Sequence, residues 1–261
     1  MKKRLDEHLA ETGVFESRAR AKAAVMEGRV SVDGRSDVKP GCQVTGGEEI
    51  AVSNPGHGYV SRGGVKLSYA LEVFDLDVGG KVVLDVGSST GGFTDCLMRN
   101  GASHVIALDV GKGQLHWRLR EDPRVTPIEG YNARSLRPGD LPVVPELAVV
   151  DVSFISLTRV IGPVFGALSG DGEVVALVKP QFEAGREFVR KGGVVRDREV
   201  HLQVLKGLAD WFAEKGLVLL GVTTSPIKGP RGNIEFFVRV GAAGIGIDPG
   251  ELEREVSSAH G

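Results

Sequence analysis

Apolar runs alternate with helical spacing along most of the chain. Residues 81–86, 104–109, 125–128, 146–151 and 173–179 are short, continuous and rich in valine, the pattern of strands buried on both faces. Helical spacing fills 91–99 and 155–168, and a longer helix is predicted over 198–215. Strands that alternate with helices predict a mostly parallel sheet wound by helices, an α/β fold. Two more strands, near 217–224 and 234–240, have no helix between them. They are expected as an antiparallel pair at the sheet edge, which brings the sheet to seven strands.

The first 52 residues have a different rhythm. Leu5 and Leu9 share one face of a short helix that Gly13 ends. Ser17 suits the N-cap of a second helix, with Ala19, Ala23, Ala24, Val25 and Met26 expected inward and Gly28 at its close. Strand-like pieces follow at 30–32, 43–44 and 49–52, with Asp33-Gly34 as a hairpin signal. The breaker cluster Ser53-Asn54-Pro55-Gly56-His57-Gly58 then interrupts both patterns. The expected organisation is a small α+β domain over 1–52, a linker over 53–60, an α/β domain over 61–241 and an acidic tail over 242–261.

Composition narrows the function classes. At 261 residues, with 41% hydrophobic and 25% charged positions, the chain is too rich in core-formers for wholesale disorder. No stretch approaches the roughly 18 apolar residues of a membrane span. The opening M-K-K-R-L-D-E-H-L-A has basic residues without an apolar core behind them, which argues against a secretory signal. Cys42 and Cys96 fall in different expected domains, so a disulfide framework and a cysteine-rich zinc site are excluded and no metal is expected. A cytoplasmic protein fits. The net charge of −2 hides an uneven distribution: 242–261 carry Asp248, Glu251, Glu253 and Glu255 against Arg254, whereas residues 1–40 carry a slight positive excess.

Part of that excess is concentrated on the second helix and just beyond it, as Arg18, Arg20, Lys22 and Arg29. Such a helix is either a clamp for a phosphate backbone or an ordinary solvated face. The charges alone do not choose. The run R-L-D-x-x-L-x-x-x-G-x-x-x-S-R-x-x-A-K-x-x-V-x-x-G-x-V-x-V-D-G, from Arg4 to Gly34, closely resembles the small RNA-binding domain first seen in ribosomal protein S-four. The resemblance implies binding of structured RNA through shape and phosphates, with Arg4 among the contacts, and implies no chemistry.

In the larger domain, Val83-Leu84-Asp85-Val86-Gly87-Ser88-Ser89-Thr90-Gly91-Gly92-Phe93 reads as a strand, a glycine-rich turn and a helix start. Asp109 ends the next strand, 22 residues after Gly87. An acidic residue at that spacing can hold a ribose diol. The turn lacks the G-x-G-x-x-G of dinucleotide enzymes and the lysine of a phosphate-binding loop. It resembles the first motif of S-adenosylmethionine-dependent methyltransferases. That resemblance implies that Asp85, Gly87, Ser88, Ser89, Gly91, Gly92, Phe93 and Asp109 line the cofactor site, with Asn132 at the adenine.

Four ionisable residues stand out at the edge where ligands of open α/β sheets bind. Asp151 and Lys179 end the fourth and fifth strands, and Glu235 opens the last strand, which runs the opposite way. Lys66 lies on a helix before the first strand, in S-R-G-G-V-K-L. Each has a bland reading alone, as a surface residue, a strand exit or a helix cap. In the order Lys66, Asp151, Lys179, Glu235 they resemble the tetrad of FtsJ-like RNA ribose 2′-O-methyltransferases. S-R-G-G-V-K-L, D-V-G-S-S-T-G-G-F-T-D, V-D-V-S-F-I-S-L, V-K-P-Q-F-E, V-R-K-G-G-V-V-R-D and S-P-I-K-G-P-x-G-N-x-E extend the resemblance, from Arg4 to about Val240, to the TlyA family.

This resemblance implies a Rossmann-like class I methyltransferase domain and 2′-O-methylation of cytidine in ribosomal RNA or ribosomal subunits. Members are often labelled haemolysins, but the composition offers no membrane segment and no secretion signal. A non-catalytic RNA-binding or assembly factor is the alternative that an intact tetrad argues against. A ribose hydroxyl must lose its proton as it attacks, and a lysine serves as base only when burial or a second cation eases its own deprotonation. Lys66 beside Lys179 is expected to supply that cation, with Lys179 the lysine nearer the hydroxyl. The basic loops, with Arg186, Arg190, Lys191 and Lys228, and Arg62 ahead of the helix, are expected to meet the RNA backbone.

Overall fold

Contiguous valines build the larger sheet. In the computed structural model, which describes residues 2–26, 28–35, 38–52 and 58–261, the chain divides into two compact units, Met1–Arg62 and Gly63–Gly261. Residues 53–57 of the expected linker lie outside the described residues.

The first unit holds β1 (Lys3–Arg4), α1 (Leu5–Glu11), α2 (Arg18–Met26), β2 (Val30–Val32), β3 (Gln43–Val44) and β4 (Ile50–Val52). Pairing of β1 with β3 and of β2 with β4 gives two small antiparallel sheets. Leu5 and Leu9 are fully buried, as their spacing predicts. Ser17 Oγ accepts the Arg20 N–H and caps α2. The inward face of α2 differs from expectation: Ala21, Ala24 and Val25 are buried, whereas Ala19 and Met26 are exposed. With alanines at 19, 21, 23 and 24, side-chain volume does not mark a face, and the i, i+3, i+4 stripe starting at Ala21 is the one that packs with the α1 leucines in one core cluster.

The second unit follows α3 (Arg62–Val73) with β5 (Val82–Val86), α4 (Gly92–Arg99), β6 (His104–Asp109), α5 (Trp117–Arg120), β7 (Val125–Glu129), β8 (Leu147–Val150), α6 (Ile161–Gly166), β9 (Glu173–Val178), α7 (Pro180–Glu183), α8 (Arg198–Glu214), β10 (Val218–Thr224), β11 (Phe236–Gly241) and α9 (Pro249–His260). One seven-stranded sheet runs in the order β10-β11-β9-β8-β5-β6-β7. Strands β5 to β9 pair in parallel, and β11 lies antiparallel between β9 and β10. Leu84, Ile106, Val150, Ala176, Phe212, Phe236 and Val238 belong to one buried core cluster.

Two elements differ from the expected pattern. Helical spacing over 155–168 resolves into a 3-10 turn at 157–159 and the short α6. Pro163 has no N–H to give, so it sits in the first turn of a new helix rather than inside a long one. The acidic segment 242–261 is not a bare tail. Asp248 caps α9 by accepting the Gly250 N–H, Leu252 and Val256 join the core, and Glu255 accepts the Thr224 N–H at 3.0 Å. Leu252 and Val256 mark the buried face of this amphipathic helix, and exposed Glu253 lies on its solvent side.

Helix α9 also brings His260 against the fully buried His201 of α8, with Nδ1 of His201 2.8 Å from Nε2 of His260. Burial, aided by the charge of His260, pushes the His201 pKa down to about 4. Between pH 6.5 and about 4 the unfolded chain therefore binds a proton at His201 that the folded chain does not, and acid destabilises the fold there. Relative to a His201→Gln variant, the wild type should lose about 3 kcal/mol of unfolding free energy as the pH falls through this window, measured by urea unfolding at several pH values.

Candidate active site

The β5–α4 turn is built by its glycines. Gly87, Ser89 and Gly91 all have positive φ, at 84°, 48° and 94°. At Gly87 a side chain is also barred by space, since a Cβ would lie 2.5 Å from the carbonyl oxygen of Asp151. The end of β5 thus passes directly against the end of β8. Asp109, at the end of β6, accepts the Ser89 N–H through Oδ2 at 2.8 Å and the Gly111 N–H through Oδ1 at 2.6 Å, which pins the turn. Behind it, Asp85 is fully buried and accepts the Thr94 hydroxyl at 2.6 Å through Oδ2. Its Oδ1 is buried without a hydrogen-bond partner. Burial pushes the Asp85 pKa up to about 7; the Thr94 bond opposes that rise and the charge of Asp151 adds to it. Ser88, Gly92 and Phe93 are buried around the turn. Asn132 caps the 3-10 turn 133–135 by accepting the Arg134 N–H.

Sheet register gathers the four ionisable residues. Phe236 pairs with Val178 in the antiparallel ladder, so Glu235 lies opposite Lys179. Val150 pairs with Ala176, so Asp151 leaves the neighbouring strand two residues before Lys179 leaves its own. Lys179 Nζ is 2.5 Å from Asp151 Oδ1 and donates to Ser153 Oγ at 2.9 Å. Lys66 reaches in from α3 and donates to Glu235 Oε2 at 2.5 Å, with both side chains buried. Each lysine is therefore held by a carboxylate. Gly229 makes room for that carboxylate, since a Cβ there would lie 2.0 Å from Glu235 Oε1.

Two lysines, each bridled by a carboxylate, thus lie at the carboxyl edge of the sheet, which also carries a glycine turn and an acidic strand end. Residues 59–242 match the FtsJ-like methyltransferase family, and residues 3–50 match the S4 domain. The chain belongs to the FtsJ-like methyltransferase family. YqxC of Bacillus subtilis (strain 168) is 48% identical over 257 residues, 97% of this chain and 91% of that protein. A Mycobacterium tuberculosis (strain ATCC 25618 / H37Rv) relative named 16S/23S rRNA (cytidine-2′-O)-methyltransferase TlyA is 43% identical over 236 residues, 90% of this chain and 88% of that protein. A solved structure of a Streptococcus thermophilus protein superposes with a TM-score of 0.79 at 41% identity, covering 99% of this chain and 96% of that one.

The cofactor of this FtsJ-like enzyme is S-adenosylmethionine, and the residues present fit it. The turn at Gly87 admits close backbone approach, Asp109 keeps lone pairs for a ribose diol beyond its two N–H bonds, and Asp85 has an unpaired buried oxygen behind the turn.

Of the expected RNA contacts, Arg4 and Arg18 both pair with the buried Asp6, and Arg18 also reaches Glu7. The Arg4 hydrogen bond, reinforced by Arg18, holds Asp6 below the usual carboxylate range. Arg20 pairs with Glu16, Lys22 is exposed, and the Arg29 guanidinium lies 5.9 Å from the centre of the Phe15 ring. Arg62, Arg186, Arg190, Lys191 and Lys228 are exposed. Among the described residues no helix is long and apolar enough to cross a membrane.

Sequence reasoning missed two aromatic and polar neighbours of the site. Phe154, three residues after Asp151, is 90% exposed at a φ of 65°, with its ring centre 5.0 Å from that of Phe182. Asn233 is buried and joins the two basic loops: Oδ1 accepts the Val195 N–H, and Nδ2 donates to the Gly193 carbonyl. For Asn233 the signal was an asparagine between a glycine and a strand; Phe154, among Val152 and Ile155, carried none.

Proposed function

We propose that this FtsJ-like enzyme methylates the ribose 2′-hydroxyl of a cytidine in ribosomal RNA, within a ribosomal subunit, in the cytoplasm. The observation that carries the reading is the pair of lysine–carboxylate contacts that neighbouring strand ends hold at the carboxyl edge of the sheet. The M. tuberculosis relative, named for this reaction on 16S and 23S rRNA, supports the substrate.

Bound S-adenosylmethionine supplies a methyl carbon made electrophilic by its sulfonium. Asp85, Gly87, Ser88, Ser89, Gly91, Gly92, Phe93, Asp109 and Asn132 are assigned to hold it. Lys179 is assigned to the attacking hydroxyl. For Lys179 to act as base its ammonium first gives a proton to solvent, and the freed amine then takes the hydroxyl proton as the oxygen attacks; Asp151 Oδ1, 2.5 Å from Nζ, holds the side chain in place. Ser153 and Asp151 fix the direction of Nζ, so positioning contributes alongside proton transfer. Lys66, oriented by Glu235, brings a second cation to the oxygen that develops charge. Arg4, Arg18, Arg20, Lys22, Arg29, Arg62, Arg186, Arg190, Lys191 and Lys228 are assigned to RNA phosphates.

A cytidine drawn from its helix needs a surface for its base, and the displayed ring of Phe154 supplies one beside Asp151. Phe154→Ala should raise the KM for RNA about 10-fold, from the loss of one stacking contact, with S-adenosylmethionine affinity unchanged. Tritium transfer from labelled S-adenosylmethionine to ribosomal subunits, naked rRNA and a no-RNA control tests the reading as a whole. Label in RNA supports it; label in none of the three refutes it.

A further inference from the structure

The loop that leaves β8 and the segment that leaves β9 are joined by a ladder of contacts in parallel order. Lys179 meets Asp151 and Ser153, Phe182 meets Phe154, and Glu183 meets Ser156 and Leu157. The last rung is the most demanding chemically. Glu183, at the end of α7, accepts the Ser156 hydroxyl at 2.6 Å through Oε2 and the Leu157 N–H at 2.8 Å through Oε1. Burial pushes its pKa up while both of these bonds draw it down. A carboxylate is costly in such a place unless its acceptors are used, and here both oxygens are. Glutamine keeps one acceptor but turns an N–H₂ toward the second donor.

What the rung restrains is also telling. The loop it holds contains Phe154 at a φ of 65°, a left-handed conformation that a bulky residue keeps only where the surroundings impose it. It also contains Asp151, whose contact with Lys179 depends on the loop staying beside the β9 exit. Glu183 itself is assigned to neither cofactor nor RNA.

We propose that Glu183 is a positioning residue for methyl transfer. By clamping the turn at Ser156 and Leu157, it keeps Asp151 on Lys179 and Phe154 displayed. This rests on the methyl-transfer reading of the site given above.

The test uses the full chain as wild type, Glu183→Gln, Glu183→Ala and Ser156→Ala. Single-turnover methyl transfer at saturating RNA is expressed per S-adenosylmethionine-binding site, so misfolded protein does not count. Hydrogen exchange of the peptide covering 151–158 is measured without RNA. Both Glu183 variants should be slower by about 10-fold or more per site, with cofactor affinity within about two-fold of wild type. Exchange across 153–157 should rise in both. Ser156→Ala should lose less, because the Leu157 N–H still holds Glu183, and combined with Glu183→Ala it should cost less than the sum of the two single changes, since they share one contact while Ser156 also caps the next turn by accepting the Thr158 N–H.

Glu183 variants with wild-type rates, or slowed rates with unchanged exchange, overturn the inference. An active wild type matched by both variants refutes the inference alone. A wild type that methylates no RNA refutes the functional reading, and with it any positioning role for Glu183.

Discussion

Replacing Lys179 with methionine should slow methyl transfer at least about 10²-fold, the low end of what a general base contributes. Methionine keeps most of the unbranched stem and removes the ammonium. It therefore deletes the contact to Asp151 Oδ1 and the bond to Ser153 without opening a cavity at the end of β9. Cofactor affinity should stay within about two-fold, because the groups assigned to S-adenosylmethionine come from β5, β6 and the turn after β7. Equilibrium binding of the cofactor and single-turnover rates on ribosomal subunits, measured on the same preparation, separate the two effects. Unchanged rates in Lys179→Met would remove this lysine from the chemistry.

Gly87→Ala should weaken S-adenosylmethionine binding by about 10- to 100-fold. Two costs combine. A φ of 84° is strained for any residue with a Cβ, and that Cβ would lie 2.5 Å from the Asp151 carbonyl oxygen. Strain and overpacking each cost the fold about 1–3 kcal/mol; the turn relieves them by moving, and a loss of about 1.4–2.7 kcal/mol to restore its cofactor-binding form corresponds to the 10- to 100-fold. The obstacle is backbone, so relief requires β5 and β8 to part at their ends. Methyl transfer at saturating cofactor should fall as well, since the displaced backbone is that of Asp151. Gly162→Ala is the control: nothing lies within 4 Å of its Cβ, and its φ is ordinary. Isothermal titration with S-adenosylmethionine reads both variants, and equal affinities for Gly87→Ala and wild type would contradict the role given to this turn.

The strands were legible because both faces are buried. Runs such as 105–108 and 147–150 carry no polar interruption, and the observed strand ends fall within a residue or two of the expected ones. Asp151, Lys179 and Glu235 stood out for a related reason, as charged side chains at the ends of apolar strands, whereas Lys66, on α3, stood out only through the resemblance carried by S-R-G-G-V-K-L. Helix α9 was not, because Pro249-Gly250 reads as a breaker while the buried residues Leu252 and Val256 are sparse among charges. The inward face of α2 was misread where alanines lie on every side. Which carboxylate holds which lysine was hidden: the structure gives Asp151 to Lys179 and Glu235 to Lys66, a choice made by strand register and the entry of α3. Phe154 and Glu183 depend on the path of two loops after their strands, which no periodicity encodes.

The central claim is that the methyl group goes to a ribose oxygen and that Lys179 drives its transfer. Ribosomal subunits incubated with the enzyme and S-adenosylmethionine carrying a trideuterated methyl group can be digested to nucleosides and fragmented by mass spectrometry. Deuterium is expected in the ribose fragment of cytidine with wild type, with near-complete loss in Lys179→Met. Deuterium in the base fragment, or equal ribose labelling by Lys179→Met, would contradict it.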